Sequence, residues 1–160
     1  MAFRGQHEHS LDAKDRITVP ATHRAALADG VVVMEGIEAC VEVWPAAEAA
    51  AMEAAWITPL SPMGADGRRM RRRVFGTSED VELDSAGRIR IPKHLIRHAG
   101  LEGSSLIVGV GDHLEIWSAE NWGVESAELK SQAPELGERA AAQGQGAHIP
   151  SSPTGAGAGA

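Results

Sequence analysis

The sequence predicts an α+β fold, rich in β-structure, made of two tandem β-β-α-β-β modules with additional helices. Two observations predict it. Residues 10–20 (SLDAKDRITVP) and 82–92 (ELDSAGRIRIP) share the pattern Leu-Asp-x-x-x-Arg-Ile-x-(Val/Ile)-Pro, so Asp12, Arg16 and Pro20 recur 72 positions later as Asp84, Arg88 and Pro92. A second echo, CVEVW at 40–44 and HLEIW at 113–117, sets Trp44 against Trp117 at an offset of 73. That spacing is too long for a solenoid repeat and marks two copies of one small module. A module of about 45 residues rarely buries enough apolar surface to stand alone. The copies are therefore expected to share a core, or the chain to oligomerise.

Each element follows from local pattern. Residues 3–11 read as a strand entering a tight turn at Asp12–Asp15. Ile17 and Val19 alternate with Arg16 and Thr18, the period of a half-buried strand. Pro20 ends that strand and suits a first helical turn, so ATHRAALAD (21–29) reads as a short helix closed by Gly30. VVVMEG and CVEVWP read as two strands joined by a turn. The second copy repeats the order: VELD a strand, SAG a turn, RIRIP a strand, KHLIRHAG a helix stopped at Gly100, then SLIVGVG and HLEIW as strands around Gly111-Asp112. Between the copies, AAEAAAMEAAW is rich in strong helix formers, ITPLSPMGADG is broken by proline and glycine, and RRMRRRVF reads as another helix. A last helix is expected to about Ser131, and from Gln132 the Ala/Gly/Ser/Pro-rich chain is expected to be disordered. The predicted organisation is a module at 6–48, a helical connection with an arginine-rich segment at 49–76, a module at 77–120, a helix at 121–131 and a tail at 132–160.

Formal net charge is −7, which opposes simple electrostatic binding to nucleic acid. The average hides an uneven distribution. RRMRRR at 68–73 is densely basic, and Arg88, Arg90, Lys93 and Arg97 lie in a stretch with no acid between 85 and 101. The single cysteine, Cys40, cannot form an internal disulfide. The N-terminus has no apolar stretch of signal-peptide type, and no apolar run reaches bilayer length. A cytoplasmic protein without a membrane partner is expected.

The repeated Asp-x-x-x-Arg turn has two readings. Asp84-Ser-Ala-Gly87 has what an ordinary tight turn wants, a carboxylate to accept backbone hydrogen bonds and a glycine for positive φ. A turn does not require an arginine after it, however, and the duplication favours Arg16 and Arg88 at hairpin tips facing a ligand. Alternation puts Arg88 and Arg90 on one face, whereas Arg16 shares its face with neutral Thr18.

FRGQHEHSLDAKDRITVPA, the echo VELDSAGRIRIP, the strands ending in tryptophan and the arginine-rich middle segment together resemble the MraZ family, over about residues 3–122. These are bacterial transcriptional regulators with two SpoVT-AbrB-type modules. The resemblance implies a double-split, or swapped-hairpin, β-barrel in which the copies take the places of two subunits. It also implies ring-like homo-oligomers on the nucleoid that bind direct repeats in double-stranded DNA upstream of the division and cell-wall gene cluster, including their own promoter. Carried over by position, the DNA-binding residues are Arg16 and Arg88 with Lys14 beside the first, and Arg90 and Lys93 lie close to the second motif. The family's turn has glycine where this chain has Asp15. Aspartate tolerates the left-handed conformation at a cost of roughly 1 kcal/mol. Its charge is expected to pair with Arg16 or repel phosphate, leaving the second copy the larger share of DNA affinity.

The other motifs are less specific. Met70 and Val74 share a helical face, and Arg68, Arg69, Arg71, Arg72 and Arg73 cover the rest, suited to phosphate contact or to intersubunit ion pairs. His94 and His98 have the i,i+4 spacing of zinc sites, but residue 95 is leucine and no Cys-x-x-Cys pair exists, so no metal, cofactor or enzyme activity is expected. Cys40 reads as a small core residue. Trp44 and Trp117 read as packing residues rather than a base-stacking platform. Two rivals remain: an antitoxin-like DNA-binding module with a toxin partner, and a metal-binding enzyme built on the histidines.

Overall fold

The strands of the two copies pair with each other more than with themselves. The computed structural model describes residues 2–144. Eight strands are present among them: β1 (Gln6–Ser10), β2 (Arg16–Thr18), β3 (Val31–Glu35), β4 (Cys40–Pro45), β5 (Glu79–Val81), β6 (Arg88–Arg90), β7 (Ser104–Gly109) and β8 (Leu114–Ser118). Six form one antiparallel sheet in the order β1-β7-β8-β4-β3-β5, and β2 pairs with β6 in a separate ribbon. The first strand of each copy thus lies beside the third strand of the other, with His7 opposite Ile107 and Glu79 opposite Val33. A pseudo-twofold axis relates the halves. It passes between Ile17 and Ile89, which face each other in the ribbon, and between Glu42 and Glu115, which face each other where β4 meets β8.

This exchange explains how two undersized modules fold. Strand alternation turns Ile17, Val33, Val41, Val43, Ile89, Ile107, Leu114 and Ile116 into one core, closed by Leu27, Leu95 and Ala99 from the helices. Each large aliphatic side chain buried there contributes roughly 1.5–3 kcal/mol. Neither copy could assemble that core alone. The turn at Asp12–Asp15 consequently does not close a hairpin, because β1 and β2 have different partners. It is a corner where the chain leaves the sheet for the ribbon, and Arg16 and Arg88 lie on that ribbon rather than at hairpin tips.

The helices largely follow the sequence. Helix α1 (Ala21–Arg24) passes into a 3-10 turn at Ala25–Leu27. Helix α2 (Ala46–Met52) continues as a π-turn through Ile57. Helix α3 (Ala65–Thr77) begins three residues before the arginine run. Val74 and the partly buried Met70 join Met34, Trp44, Ala49 and Ile57 in a second apolar cluster. Helix α4 (Lys93–Ala99) stops at Gly100, whose φ of 62° suits a left-handed cap.

Helix α5 (Ala119–Gly144) departs from expectation. Ser118 opens it by accepting the Asn121 N–H at 3.0 Å. It does not close near Ser131 but continues past Pro134. Proline removes one helical hydrogen bond, yet Glu, Leu, Arg and Ala after it are strong helix formers, and Glu135 and Arg139 approach to 3.9 Å one turn apart. The structure thus corrects the predicted disorder for 132–144, and residues 145–160 of that tail lie outside the described residues. Residues up to Gly123 form one compact unit, and a second begins at Val124. Among the described residues, no helix is long and apolar enough to cross a membrane.

Ile17 and Ile89 are 0% and 1% exposed at the centre of the ribbon. Truncating either to alanine is expected to cost about 2–5 kcal/mol, by similar amounts for the two sites. Urea denaturation followed by circular dichroism measures this.

Candidate nucleic-acid interface

With Ile17 and Ile89 turned inward, alternation turns Arg16, Thr18, Arg88 and Arg90 to the outer face of the ribbon. Arg16 lies opposite Arg90, and Thr18 opposite Arg88. Each corner is built by its aspartate. One oxygen of Asp12 accepts the N–H groups of Lys14 and Arg16, both at 2.9 Å, and the other accepts Nε of Arg16 at 2.8 Å. Asp84 repeats this with the N–H groups of Ala86 and Arg88 at 2.9 Å and Nε of Arg88 at 2.8 Å. The two corners also meet across the axis. Arg16 Nη1 lies 3.8 Å from Asp84 Oδ2, and Arg88 Nη1 lies 4.0 Å from Asp12 Oδ2. Four alternating charges therefore form a ring around the pseudo-twofold axis.

The hydrogen bonds set the titration of this ring. The Arg16 N–H does most to hold Asp12 below its ordinary value, opposed by desolvation and helped by the Lys14 N–H and the Arg16 side chain. For Asp84 the Arg88 N–H leads, opposed by desolvation and helped by the Arg88 side chain and the Ala86 N–H. Both aspartates stay ionised and both arginines are aimed.

Arg90 is exposed on this face and Lys14 in the corner before β2, and no ion pair engages either among the described residues. Lys93 instead contacts Asp15 at 2.9 Å. The Asp15 carboxylate of the first corner is thus answered by a lysine of the second copy, not by Arg16. The arginine-rich helix is also less free than its sequence implies. Arg68 binds the carbonyls of Pro62 and Met63, Arg71 those of Thr58 and Leu60, and Arg73 that of Gly36. Three of the five guanidiniums staple loops. Arg69 lies 3.7 Å from Asp66, both well exposed, and Arg72 points to solvent.

Comparison with known proteins agrees with this architecture. The family model described as "MraZ protein, putative antitoxin-like" matches residues 2–57 and 74–143. "Transcriptional regulator MraZ" of Thermomicrobium roseum is 36% identical over 139 residues, covering 87% of this chain and 97% of the relative. The protein of the same name from Heliobacterium modesticaldum is 37% identical over 120 residues, covering 75% and 83%. That from Lactiplantibacillus plantarum is 36% identical over 136 residues, covering 85% and 96%.

The chain belongs to the MraZ family. The relatives' names are those of regulators, not enzymes.

The structure of this MraZ chain explains why its two corners differ. Asp15 takes φ 59° and Gly87 φ 75°. A Cβ on Gly87 would lie 2.3 Å from Nε of Arg24, which donates to the Val19 carbonyl at 2.9 Å. The residue equivalent to Arg24 in the second copy is Ile96, so the first corner meets no guanidinium there. The second corner favours glycine, since a Cβ there would displace the Arg24 guanidinium, while the first has room for a side chain that Lys93 then engages.

His94 and His98 tether backbone carbonyls, where their spacing suggests zinc ligands. His94 bonds the Thr77 carbonyl at 2.9 Å, and His98 bonds the Gly36 and Glu38 carbonyls at 3.2 and 3.0 Å. His23 is buried and approaches the Arg4 carbonyl at 3.1 Å. Cys40 is fully buried, as expected of a core thiol. Backbone-carbonyl acceptors leave no mark in sequence, which is why these tethers were not foreseen.

Gly87→Ala is expected to cost about 1–3 kcal/mol, whereas Asp15→Gly should stay within about 1 kcal/mol of the parent, both read from urea denaturation. A pH effect follows from the lowered aspartates. Their stabilisation is fully present above the unfolded value of 3.8 and is lost as pH falls through the lower folded values. Melting temperatures taken through the acid range should fall less steeply for Asp12→Asn and Asp84→Asn, which start lower at neutral pH.

Proposed function

We propose that the protein is a DNA-binding transcriptional regulator that docks the outer face of the β2–β6 ribbon on double-stranded DNA. The observation that carries this reading is that face, with Arg16, Arg88 and Arg90 gathered on one short two-stranded ribbon and the exposed Lys14 in the corner that leads into it. A ribbon of that width fits the major groove. Arg16 and Arg88, held by their aspartates, are oriented for base edges or phosphate, and Lys14 and Arg90 supply the uncompensated charge. Local charge then outweighs the net charge of −7. Because Arg16 faces Arg90 and Asp15 meets Lys93, the two copies act as one surface rather than as a stronger and a weaker half.

The resemblance to MraZ regulators supports finer features of the same proposal. The operator is a set of direct repeats upstream of the division and cell-wall genes, including the protein's own promoter, and the effect is repression. A ring-like homo-oligomer on the nucleoid presents many ribbons at regular spacing, and multivalency compensates for weak single contacts. Arg69 and Arg72, the least engaged arginines of α3, are available for DNA or for a neighbouring subunit.

Fluorescence anisotropy on the chain's own upstream DNA, titrated with salt, tests the reading. Lys14→Ala should weaken binding to all sequences and reduce the salt slope by about 0.9. Arg88→Ala should cost about 1–3 kcal/mol and blur preference for the repeat. Affinity indifferent to salt and to the repeat would sink the proposal.

A further inference from the structure

The far face of the large sheet carries a second polar cluster on the same axis. Val41, Val43, Leu114 and Ile116 point into the core, so Glu42 and Glu115 point the other way. They stand directly opposite each other on adjacent strands, where two like charges oppose pairing. Each accepts the indole N–H of the tryptophan two residues on, Trp44 to Glu42 at 2.8 Å and Trp117 to Glu115 at 3.3 Å. These two bonds do not neutralise two carboxylates.

A third donor completes the group. His113 stacks on Trp44 with ring centroids 4.0 Å apart and planes 11° from parallel. Its side chain is 14% exposed, and Nδ1 lies 2.6 Å from Asp112 Oδ1. Among the described residues, Glu42, His113 and Glu115 each bring one ligand atom within 4.8 Å of the others. An imidazole held through one nitrogen by a carboxylate is the usual outer support of a metal-binding histidine. Glu42, His113 and Asp112 also line a cavity of about 370 Å³, which gives a path from solvent.

We propose that Glu42, His113 and Glu115 bind a divalent transition-metal ion of the Zn(II) class at the seam between the two copies. The imidazole disfavours Ca(II) and Mg(II), which take oxygen ligands, and suits zinc. Three protein ligands leave a position open to water from the cavity. Glu42 comes from the first copy and the other two ligands from the second, so the ion would clamp β4 to β8. Cys40 occupies the place in the first copy that His113 occupies in the second. It sits 3.5 Å from Glu115 Oε2, and burial raises its pKa far above the usual thiol range, so it stays a neutral thiol beside the site.

The test uses the full chain, stripped with a chelator, and zinc chloride as the probe. Isothermal titration should show one ion per chain, and zinc should raise the melting temperature. Glu42→Gln keeps the indole acceptor and should fold, and is expected to melt higher than the parent without metal. It should bind zinc more than about a hundredfold more weakly, and Asp112→Asn about ten- to a hundredfold more weakly. No zinc binding by the parent overturns the proposal. Undiminished binding by Glu42→Gln and His113→Ala, each shown folded by circular dichroism, overturns it equally, since the ion then sits elsewhere.

Discussion

Ile17 facing Ile89 is the contact on which the rest of the fold depends. It joins β2 to β6 across the two copies, at a point where both side chains are out of water. Because each ribbon strand is claimed by the other copy, the corner before it must turn the chain away from its own module. The aspartates make that corner. Asp12 and Asp84 each gather two N–H groups that would otherwise lack partners, and each then fixes the arginine that follows. Beyond the corner, β1 and β5 are free to complete the sheet of the opposite copy. Core, corner and charge ring are consequences of one exchange.

The same arrangement gives the arginines their character. A free arginine on a surface loses side-chain entropy when it binds a partner. Arg16 and Arg88 are already held by Nε, with Nη1 of each turned toward the aspartate of the opposite corner. The bracketing carboxylates weaken the attraction for phosphate at long range. In the proposed DNA-binding role they orient the group for close, geometric recognition, while Lys14 and Arg90 supply charge that no carboxylate engages among the described residues. Asp15 fits this division of labour, since Lys93 neutralises it before it reaches Arg16.

Much of this was legible in the sequence, for identifiable reasons. The repeated Asp-x-x-x-Arg-Ile motif disclosed the duplication, the element order and the outward residues, because alternation along a strand is a local property. The partner of each strand was not legible. Val31 has no feature that prefers Val81 over a residue of its own copy, and Arg16 and Arg88 therefore read as hairpin tips. The arginine run was misleading for a related reason. Arg68, Arg71 and Arg73 reach backbone carbonyls outside their own helix, and every residue has a carbonyl. Helix α5 outran expectation because the Ala/Gly/Ser/Pro-rich composition from Gln132 reads as disorder, when strong helix formers on both sides of Pro134 carry the helix across it.

The central claim is that the two copies are one cooperative unit and not two tethered domains. Native-state hydrogen exchange measures this most directly. Amides of β1 to β4 and of β5 to β8 should share the same highest opening free energy, and Ile17→Val should lower both sets together. If one copy's strands exchange through a markedly cheaper opening that leaves the other copy protected, the strand exchange does not hold the molecule together and the account fails.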